Sequence, residues 1–396
     1  MSELLSIDQA LELVLGRAVA LEPEDVVVAG AAGRVLAAPA LAAVDLPPFP
    51  SSSMDGFAVR SRDLPGTLTI VGEAAAGRPA TMAVGEGQAI AIATGGMVPA
   101  GADAVVPIED VHVDEGVVVI QGNTIRGGLV RDRGGDVSAG ALVVAAGTSL
   151  GPAQIGALAA AGLTNVSCAR VPRVAVLLTG TELRAAGEQL EAGEIYDANG
   201  PMLAAQLRSA GADVDLLPAV RDDPDALRAA LERGLAADAL ITTGGVSVGV
   251  HDLVRGTSAE LGVEEVFWGV ALRPGKPIAF GVLGRTLVFG LPGNPVSALV
   301  GLELFVRPAL LALQGASDPR PPFLPGRLGR AVRRTATRDS LLRARKTVDV
   351  GSVVLEPVGG QESHMIARAA AADALVLVPR GDGELAAGSP VSYLAL

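Results

Sequence analysis

The chain has few of the residues that build disulfides and zinc sites. Its 396 residues include one cysteine, Cys168, and three histidines. A single cysteine excludes an intrachain disulfide, which favours a reducing compartment such as the cytoplasm. A structural zinc site needs about four clustered ligands, mostly Cys and His. Zinc is therefore not expected.

Aromatic residues and positive charge are also scarce. Aromatic residues make up 3% of the chain, and 43 acidic residues outnumber 31 basic ones, for a net charge of −12. A general nucleic-acid binder needs a basic face, so no nucleic-acid partner is expected. No unbroken apolar run reaches about eighteen residues, and the first residues indicate an acidic helix rather than a signal sequence. We expect a cytoplasmic protein with no membrane span.

What the chain has in abundance is small and apolar residues. Hydrophobic residues make up 49% of the sequence, with 50 glycines and 26 prolines. This length and composition predict two to four ordered domains with cores built from Ala, Val and Leu.

The first part of the chain predicts a helical linker domain that is interrupted by a β domain. Ser6 followed by Gln9 resembles a capping box that starts a helix, and a second helical piece is expected over 30–43. Short strands separated by glycine turns indicate an inserted β domain over 46–140. The helical linker domain then comprises residues 1–45 and 141–171.

Residues 172–317 alternate between strands and helices, which predicts a parallel sheet covered by helices. The expected strands are 174–178, 214–217, 239–243 and 286–289. Ligands of such sheets bind beyond the carboxyl ends of the strands. Glu182, Asp222 and Asp252 follow three successive strands, so we predict a metal or acid–base site where they converge.

The same sheet edge carries a glycine turn, Gly244–Gly245, which lets backbone N–H groups approach an anion. The alternative is a plain strand-to-helix turn. Arg273 and Lys276 flank another turn and either face the same pocket or form an exposed charged hairpin. The adjacent Asp223 is interpreted as the N-cap of a helix that begins at Pro224.

Polar residues in three other parts of the chain are also candidates. Asp55 stands at a turn, where an aspartate often bonds its own backbone, and the glycine-rich loop 126–136 has three arginines that either bind anions or are solvated. The last segment, 318–396, predicts a small β barrel or sandwich, with Arg343, Arg345 and Ser363 as its polar candidates.

Together these loops resemble the molybdopterin molybdenumtransferase family, of the MoeA and gephyrin E-domain type. The resemblance rests on stretches that occur in the family's order over nearly the whole chain: SMDGFAVR, TGGMVPAGADAVVP, TGTEL, IYDANG, RDDPDALR, TTGGVSVGVHD, FWGVALRPGKP and GLPGNPVSA. Each stretch is weak alone, and the ordered set is specific.

The resemblance implies a MogA-like α/β domain and an enzyme that takes molybdate and adenylated molybdopterin, inserts molybdenum and releases AMP. It also implies a homodimer, whose cleft lies between the α/β domain of one subunit and the β insert of the other. Magnesium is the metal expected on the phosphates. Transient partners would be the molybdopterin adenylyltransferase and the apoenzymes that accept the cofactor.

The resemblance assigns roles to individual residues. The functional acids are Asp55, Glu182, Asp222 and Asp252, and the last two are the expected magnesium ligands. The expected substrate-binding positions are Thr94, Arg131, Gly244, Gly245, Ser247, Arg273, Lys276, Pro292, Asn294, Pro295, Arg343 and Ser363. One departure stands out, because Gly269 occupies a position where the family often has lysine.

Three alternatives stay open at the level of sequence. The chain could be a molybdopterin-binding scaffold without turnover, an adenylyltransferase acting one step earlier, or an enzyme that inserts tungsten. The retained carboxylates disfavour a scaffold, and the extra domains disfavour an adenylyltransferase. Nothing in the sequence ranks molybdate above tungstate.

Overall fold

The computed structural model describes residues 4–220, 223–244, 253–349 and 351–396. The helices are α1 (Ile7–Leu15), α2 (Pro152–Ala160), α3 (Asn199–Ser209), α4 (Pro224–Gly234), α5 (Leu253–Glu260), α6 (Pro295–Gly301), α7 (Arg307–Leu313) and α8 (Ile366–Ala369). The strands of the first 171 residues are β1 (Pro23–Val27), β2 (Ala40–Leu41), β3 (Ser51–Ser52), β4 (Gly56–Val59), β5 (Gly66–Ala74), β6 (Gln88–Ile92), β7 (Ala104–Pro107), β8 (Val111–Asp114), β9 (Val117–Ile120), β10 (Val130–Arg131), β11 (Leu142–Val144) and β12 (Asn165–Ala169).

The later strands fall into two groups. Those of the α/β region are β13 (Arg173–Leu178), β14 (Leu183–Arg184), β15 (Ile195–Tyr196), β16 (Asp213–Leu216), β17 (Ala239–Thr243), β18 (Glu264–Trp268), β19 (Leu272–Arg273), β20 (Ala279–Leu283) and β21 (Thr286–Leu291). Those of the C-terminal region are β22 (Leu324–Leu328), β23 (Val332–Arg333), β24 (Asp339–Asp349), β25 (Ser352–Pro357), β26 (Ala374–Val378), β27 (Glu384–Leu385) and β28 (Pro390–Ala395).

The α/β region is built on a six-stranded sheet in the order β16-β13-β17-β21-β20-β18. The four strands β16, β13, β17 and β21 are parallel, as predicted. The prediction was incomplete, because β20 and β18 extend this sheet in antiparallel orientation. β20 is joined to β21 by a two-residue turn, which suits antiparallel neighbours, whereas the chain between β18 and β20 passes through β19.

Local sequence explains why the central elements form where they do. All five residues of β17 are buried, as expected of a strand that is covered by helices on both faces. Helix α4 begins where Asp223 accepts hydrogen bonds from the backbone N–H groups of Asp225 and Ala226, with Pro224 in its first turn. The predicted N-cap role of Asp223 is therefore confirmed.

The longest helical segment runs from Pro295 to Leu313, and five residues of π-helix, Leu302–Val306, join α6 to α7. It is long and apolar enough to cross a membrane, but 72% of its apolar stretch is buried inside the protein. That burial is typical of a core helix. Helix α1 joins the same core, since Leu11 and Val14 pack in one cluster with Leu310 and Leu313.

The β insert contains a six-stranded sheet in the order β7-β4-β6-β5-β9-β8. Around it, β1 pairs with β12, β2 with β11 and β3 with β10, all antiparallel. The helix expected over 30–43 is not formed. Gly33 has a φ of +79°, and Val35 and Leu36 instead bridge to Ser149 and Cys168, so pairing with distant chain replaces the helix.

The C-terminal strands close into a barrel. Strands β24, β25, β22, β28 and β26 pair in that order, and β24 pairs again with β26. Closure leaves no free edge in this ring of five strands. The alternative of a barrel or a sandwich is therefore decided in favour of the barrel, and β19 adds a short strand to the outside of β24.

Candidate functional site

A cavity of about 730 Å³ lies at the carboxyl ends of the parallel strands, which is where the sheet topology predicts a ligand. Strands β13, β17 and β21 all end at its wall. The described residues that line it are Leu178, Thr179, Glu182, Leu183, Ile195, Tyr196, Asp197, Ala198, Asn199, Thr243, Gly244, Trp268, Lys276, Pro277, Pro292, Gly293, Asn294, Pro295, His364 and Ile366.

Two glycine turns form the floor of this cavity. Gly244 has a φ of +90°, and a Cβ at this position would lie 2.3 Å from the carbonyl oxygen of Thr179. Only glycine meets both conditions without strain. The neighbouring Thr243 hydroxyl donates to the carbonyl of Pro292, and this bond ties the end of β17 to the turn at Gly293.

Helix α3 presents its amino-terminal end to the cavity. Asp197 accepts a hydrogen bond from the backbone N–H of Gly200 at 2.9 Å. The amide of Asn199 donates to the Thr243 hydroxyl and to the carbonyl of Gly293. Its Oδ1 is buried without a partner among the described residues. The amino-terminal ends of α3 and of the segment beginning at Pro295 both favour a negative ligand.

The charged side chains on the described wall are few. Glu182 and Lys276 are exposed in the cavity, and Asp197 is half-buried. Gly269 adds no cation there: its φ is +96°, and a Cβ would lie 2.8 Å from Cδ2 of Leu4. Lys276 is thus the sole lysine or arginine among the described lining residues, and a lysine side chain at 269 would need the backbone and Leu4 to move.

Arg343 does not lie where an oxyanion contact was predicted. Its side chain is completely buried in the barrel. The guanidinium donates to the carbonyl oxygens of Met365, Gly360 and Glu362. Burial lowers the pKa of this guanidinium from its ordinary value. Arg343 therefore holds the loop 358–366 in place, and its guanidinium is engaged by the carbonyl groups of that loop rather than exposed to the cavity.

The β insert holds a second group of predicted site residues. Asp55 accepts hydrogen bonds from the backbone N–H and the hydroxyl of Thr94, at 2.6 and 2.7 Å. These two bonds, the backbone one first, hold the pKa of the exposed Asp55 below its ordinary value. Arg131 lies in the adjoining pair of β10 with β3, opposite Ser51. None of the three lines the cavity within one chain.

The other predicted positions have mixed locations. Lys276, Glu182, Gly244, Pro292, Asn294 and Pro295 line the cavity together. Arg273 is exposed on β19 beside the barrel and is not among the described lining residues. Ser363 reaches the wall through its backbone, because its carbonyl accepts from the N–H of Val296. Asp222, Gly245, Ser247 and Asp252 lie outside the described residues.

Sequence reasoning missed several lining residues, namely Asp197, Asn199, Trp268 and His364. The first three stand in the stretches IYDANG and FWGVALRPGKP, which carry the family resemblance, so their place in those stretches was an available signal. Trp268 is further marked by a buried indole N–H without a partner in the described chain. Nothing local marks His364, since the barrel brings it to the sheet.

The carboxylates on the wall suit a hard divalent cation. Within the described ranges no three His, Cys, Asp or Glu side chains form a group that could hold a metal ion. Glu182 and Asp197 supply oxygen ligands at the cavity, and oxygen is what magnesium prefers. The donor chemistry present fits magnesium rather than zinc.

Family models match nearly the whole chain in order. Residues 5–162 match the MoeA N-terminal region (domain I and II), and residues 175–312 match a probable molybdopterin binding domain. Residues 325–396 match the MoeA C-terminal region (domain IV).

Relatives and solved structures agree with these matches. The chain is 36% identical over 385 residues to molybdopterin molybdenumtransferase 2 of Mycobacterium tuberculosis, covering 93% of this chain and 94% of the relative. It is 34% identical over 370 residues to molybdopterin molybdenumtransferase of Haemophilus influenzae, covering 91% of each. A crystal structure of the molybdopterin biosynthesis MoeA protein of Pyrococcus horikoshii superposes with a TM-score of 0.80 at 31% identity, covering 99% of both chains.

Proposed function

Since this chain belongs to the molybdopterin molybdenumtransferase family, a family of transferases, we propose that it inserts molybdenum from molybdate into adenylated molybdopterin and releases AMP. This would be the last step of molybdenum cofactor biosynthesis. The observation that carries the proposal is the cavity of about 730 Å³, with its glycine turns and Lys276, at the carboxyl ends of the sheet.

The cavity supplies what a pyrophosphate substrate needs. The bridge between the pterin phosphate and AMP carries negative charge, which Lys276 and two helix amino termini would balance. Gly244 and Gly293 leave backbone close to the ligand, because they have no side chain in the way. An oxygen of water or molybdate attacks the bridge, AMP leaves with the electron pair of the broken P–O bond, and Glu182 and Asp55 position the attacking oxygen.

Magnesium would be held by Asp222 and Asp252, and Glu182 and Asp197 are the carboxylates on the described part of the wall. When bound, the ion would spread the charge of the phosphates. Either aspartate of the pair Asp222–Asp223 could be the ligand by sequence position. The Asp223 side chain is already engaged as the N-cap of α4, and this supports Asp222 as the magnesium ligand.

We further propose that the working unit is a homodimer. Asp55, Thr94 and Arg131 are exposed but do not line the cavity of their own chain. They would complete the cavity of a second subunit, so that each site combines one subunit's sheet with the partner's Asp55. The buried single cysteine and the acidic composition support a cytoplasmic site of action without nucleic acid. The cofactor would be received from the adenylyltransferase and passed to apoenzymes by transient contacts.

The reaction is tested by incubating the purified chain with adenylated molybdopterin, molybdate and magnesium. AMP should appear together with molybdenum-loaded cofactor, and both should require molybdate. Consumption of ATP with unloaded molybdopterin would instead identify an adenylyltransferase. Ligand binding without AMP release would identify a scaffold, and faster turnover with tungstate would identify a tungsten-inserting enzyme.

The shared site is tested by mixing two inactive variants, Asp55→Ala and Glu182→Ala. If each site combines both subunits, a mixed dimer keeps one intact site, and the mixture should recover about a quarter of wild-type turnover. If each site were built from one chain, no mixture would recover activity. Each variant alone, taken through the same unfolding and mixing steps, is the control.

A further inference from the structure

His364 is a cavity residue that reaches the sheet from another domain. It lies in the loop 358–366 of the C-terminal barrel, and its imidazole is exposed at the cavity wall. Among the described residues the imidazole makes no hydrogen bond or ion pair, while the His364 carbonyl accepts from the N–H of Ile366 at 2.9 Å. The imidazole of His364 is therefore free to donate a hydrogen bond to a ligand in the cavity.

The loop that carries His364 is fixed from both sides. On the barrel side, Arg343 binds three of its carbonyl groups, and the amide of Gln361 exchanges hydrogen bonds with the backbone of Arg343 at 3.0 and 2.9 Å. On the sheet side, the N–H of Val296 donates to the carbonyl of Ser363 at 3.0 Å. This last bond attaches the loop to the turn Pro292–Pro295, whose residues line the cavity.

Holding this short loop with a buried arginine costs free energy. Burial removes water from the guanidinium, and only hydrogen bonds of good geometry offset that loss. The barrel places its one fully buried arginine beneath the residue that it sends into the cavity. A fixed loop loses little conformational entropy when a ligand binds, so the arrangement favours contact between His364 and a bound ligand.

The charges around His364 define which ligand it suits. The cavity carries Glu182, Asp197, Tyr196 and Lys276, and His364 has Glu362 beside it on its own loop. Arg343 below the loop is occupied by carbonyl groups. Since Lys276 is the sole lysine or arginine on the described wall, the imidazole of His364 offers a bound anion a second side-chain donor.

We propose that His364 contacts the pyrophosphate bridge of the substrate and donates a hydrogen bond to it. This assignment rests on the proposed function, which supplies the substrate class. Arg343 is a positioning residue for this contact, because it acts through the loop and does not reach the ligand.

The test uses diadenosine pyrophosphate, whose two phosphates are both diesters and keep their charge near neutral pH. Binding to the full chain is followed by the fluorescence of Trp268, the single tryptophan, which lines the cavity. Wild type should bind about tenfold more tightly than His364→Gln, as the loss of one hydrogen bond to a charged phosphate allows.

Two matched variants keep the result interpretable. His112→Gln removes an exposed histidine of the β insert and should behave as wild type. His364→Asn repeats the change with a shorter amide, so that a folding defect of one variant does not decide the outcome. Equal affinity of wild type and both His364 variants would overturn the proposal, and so would failure of wild type to bind the probe.

The AMP-release assay separates this inference from the function on which it rests. If wild type releases AMP and His364→Gln has the same KM, the inference fails and the proposed function stands. If wild type releases no AMP but binds the probe through His364, the proposed reaction fails and the contact stands. The expected result is a raised KM for His364→Gln with a smaller change in kcat.

Discussion

Replacing Arg343 by methionine would show how strongly the barrel holds the loop 358–366. The substitution keeps length and apolar volume but removes the donors to three carbonyl groups, of which two bonds measure 2.7 and 3.2 Å. A buried carbonyl without a partner costs about 1–3 kcal/mol. The change also removes the cost of burying a guanidinium, and Glu362 and His364 are exposed, so water can reach part of the loop.

The balance of these effects is a destabilisation of about 2–4 kcal/mol. It should appear in urea unfolding of the barrel, and hydrogen–deuterium exchange should speed up at residues 360–366. The chain has several domains, so the barrel transition must be followed separately. Affinity for a cavity ligand should fall as well, because His364 and the Ser363 carbonyl lose their support.

Arg345→Met is the matched control, since Arg345 lies two residues further along β24 and is exposed. It should leave stability within about 0.5 kcal/mol of wild type, as most surface substitutions do. If Arg343→Met were equally mild and exchange in the loop were unchanged, the view that this arginine holds the loop would be refuted.

Two further predictions concern the sheet and the β insert. Gly244→Ala should destabilise the chain by roughly 2–4 kcal/mol, because a φ of +90° is combined with a contact of 2.3 Å from the new Cβ to Thr179, and it should lower turnover more than tenfold. Gly256→Ala is the control, since Gly256 lies in open space on α5. Equal stability of the two variants in thermal unfolding would contradict the strain argument. Thr94→Val removes one of the two hydrogen bonds that lower the pKa of Asp55. Because the pKa of Asp55 then rises, the acid limb of the pH–rate profile should move to higher pH. Thr67→Val is the control and should leave the acid limb in place. The shift is expected to be partial, because the Thr94 backbone N–H remains, and a limb that stayed fixed or moved to lower pH would exclude this role for Asp55.

Local signals in the sequence were sufficient for the elements that are held by their own residues. The start of helix α4 was predicted correctly because Asp223 and Pro224 determine it. Strand β17 was predicted likewise from its apolar run. The strands β18 and β20 were missed, since the chain between them turns out to the barrel at β19 rather than closing a tight hairpin. The helix expected over 30–43 failed because pairing with residues 142–149 and 165–169 outcompetes a weak local preference.

The site divides in the same way. Glu182, Gly244 and Lys276 follow strands or turns of the sheet, so the position of the ligand edge in a parallel sheet predicted them. Arg343 was assigned to the ligand, but its guanidinium binds carbonyl groups of a loop 17–22 residues further along the chain, and no local pattern predicts that contact. His364 needed two domains to be placed together, which no local pattern encodes. The family resemblance supplied Asp55 and Thr94, and no rule of sheet topology links them to the cavity.

The packing of α1 has a consequence for the order in which the chain can mature on the ribosome. Its apolar face is buried against a segment that ends at Leu313, about three hundred residues later. Until that segment has been synthesised, the first helix has no permanent neighbour, while the intervening β insert can already assemble by itself. The amino-terminal segment therefore stays exposed to chaperones and proteases through most of translation. It can dock only after the sheet region has been synthesised.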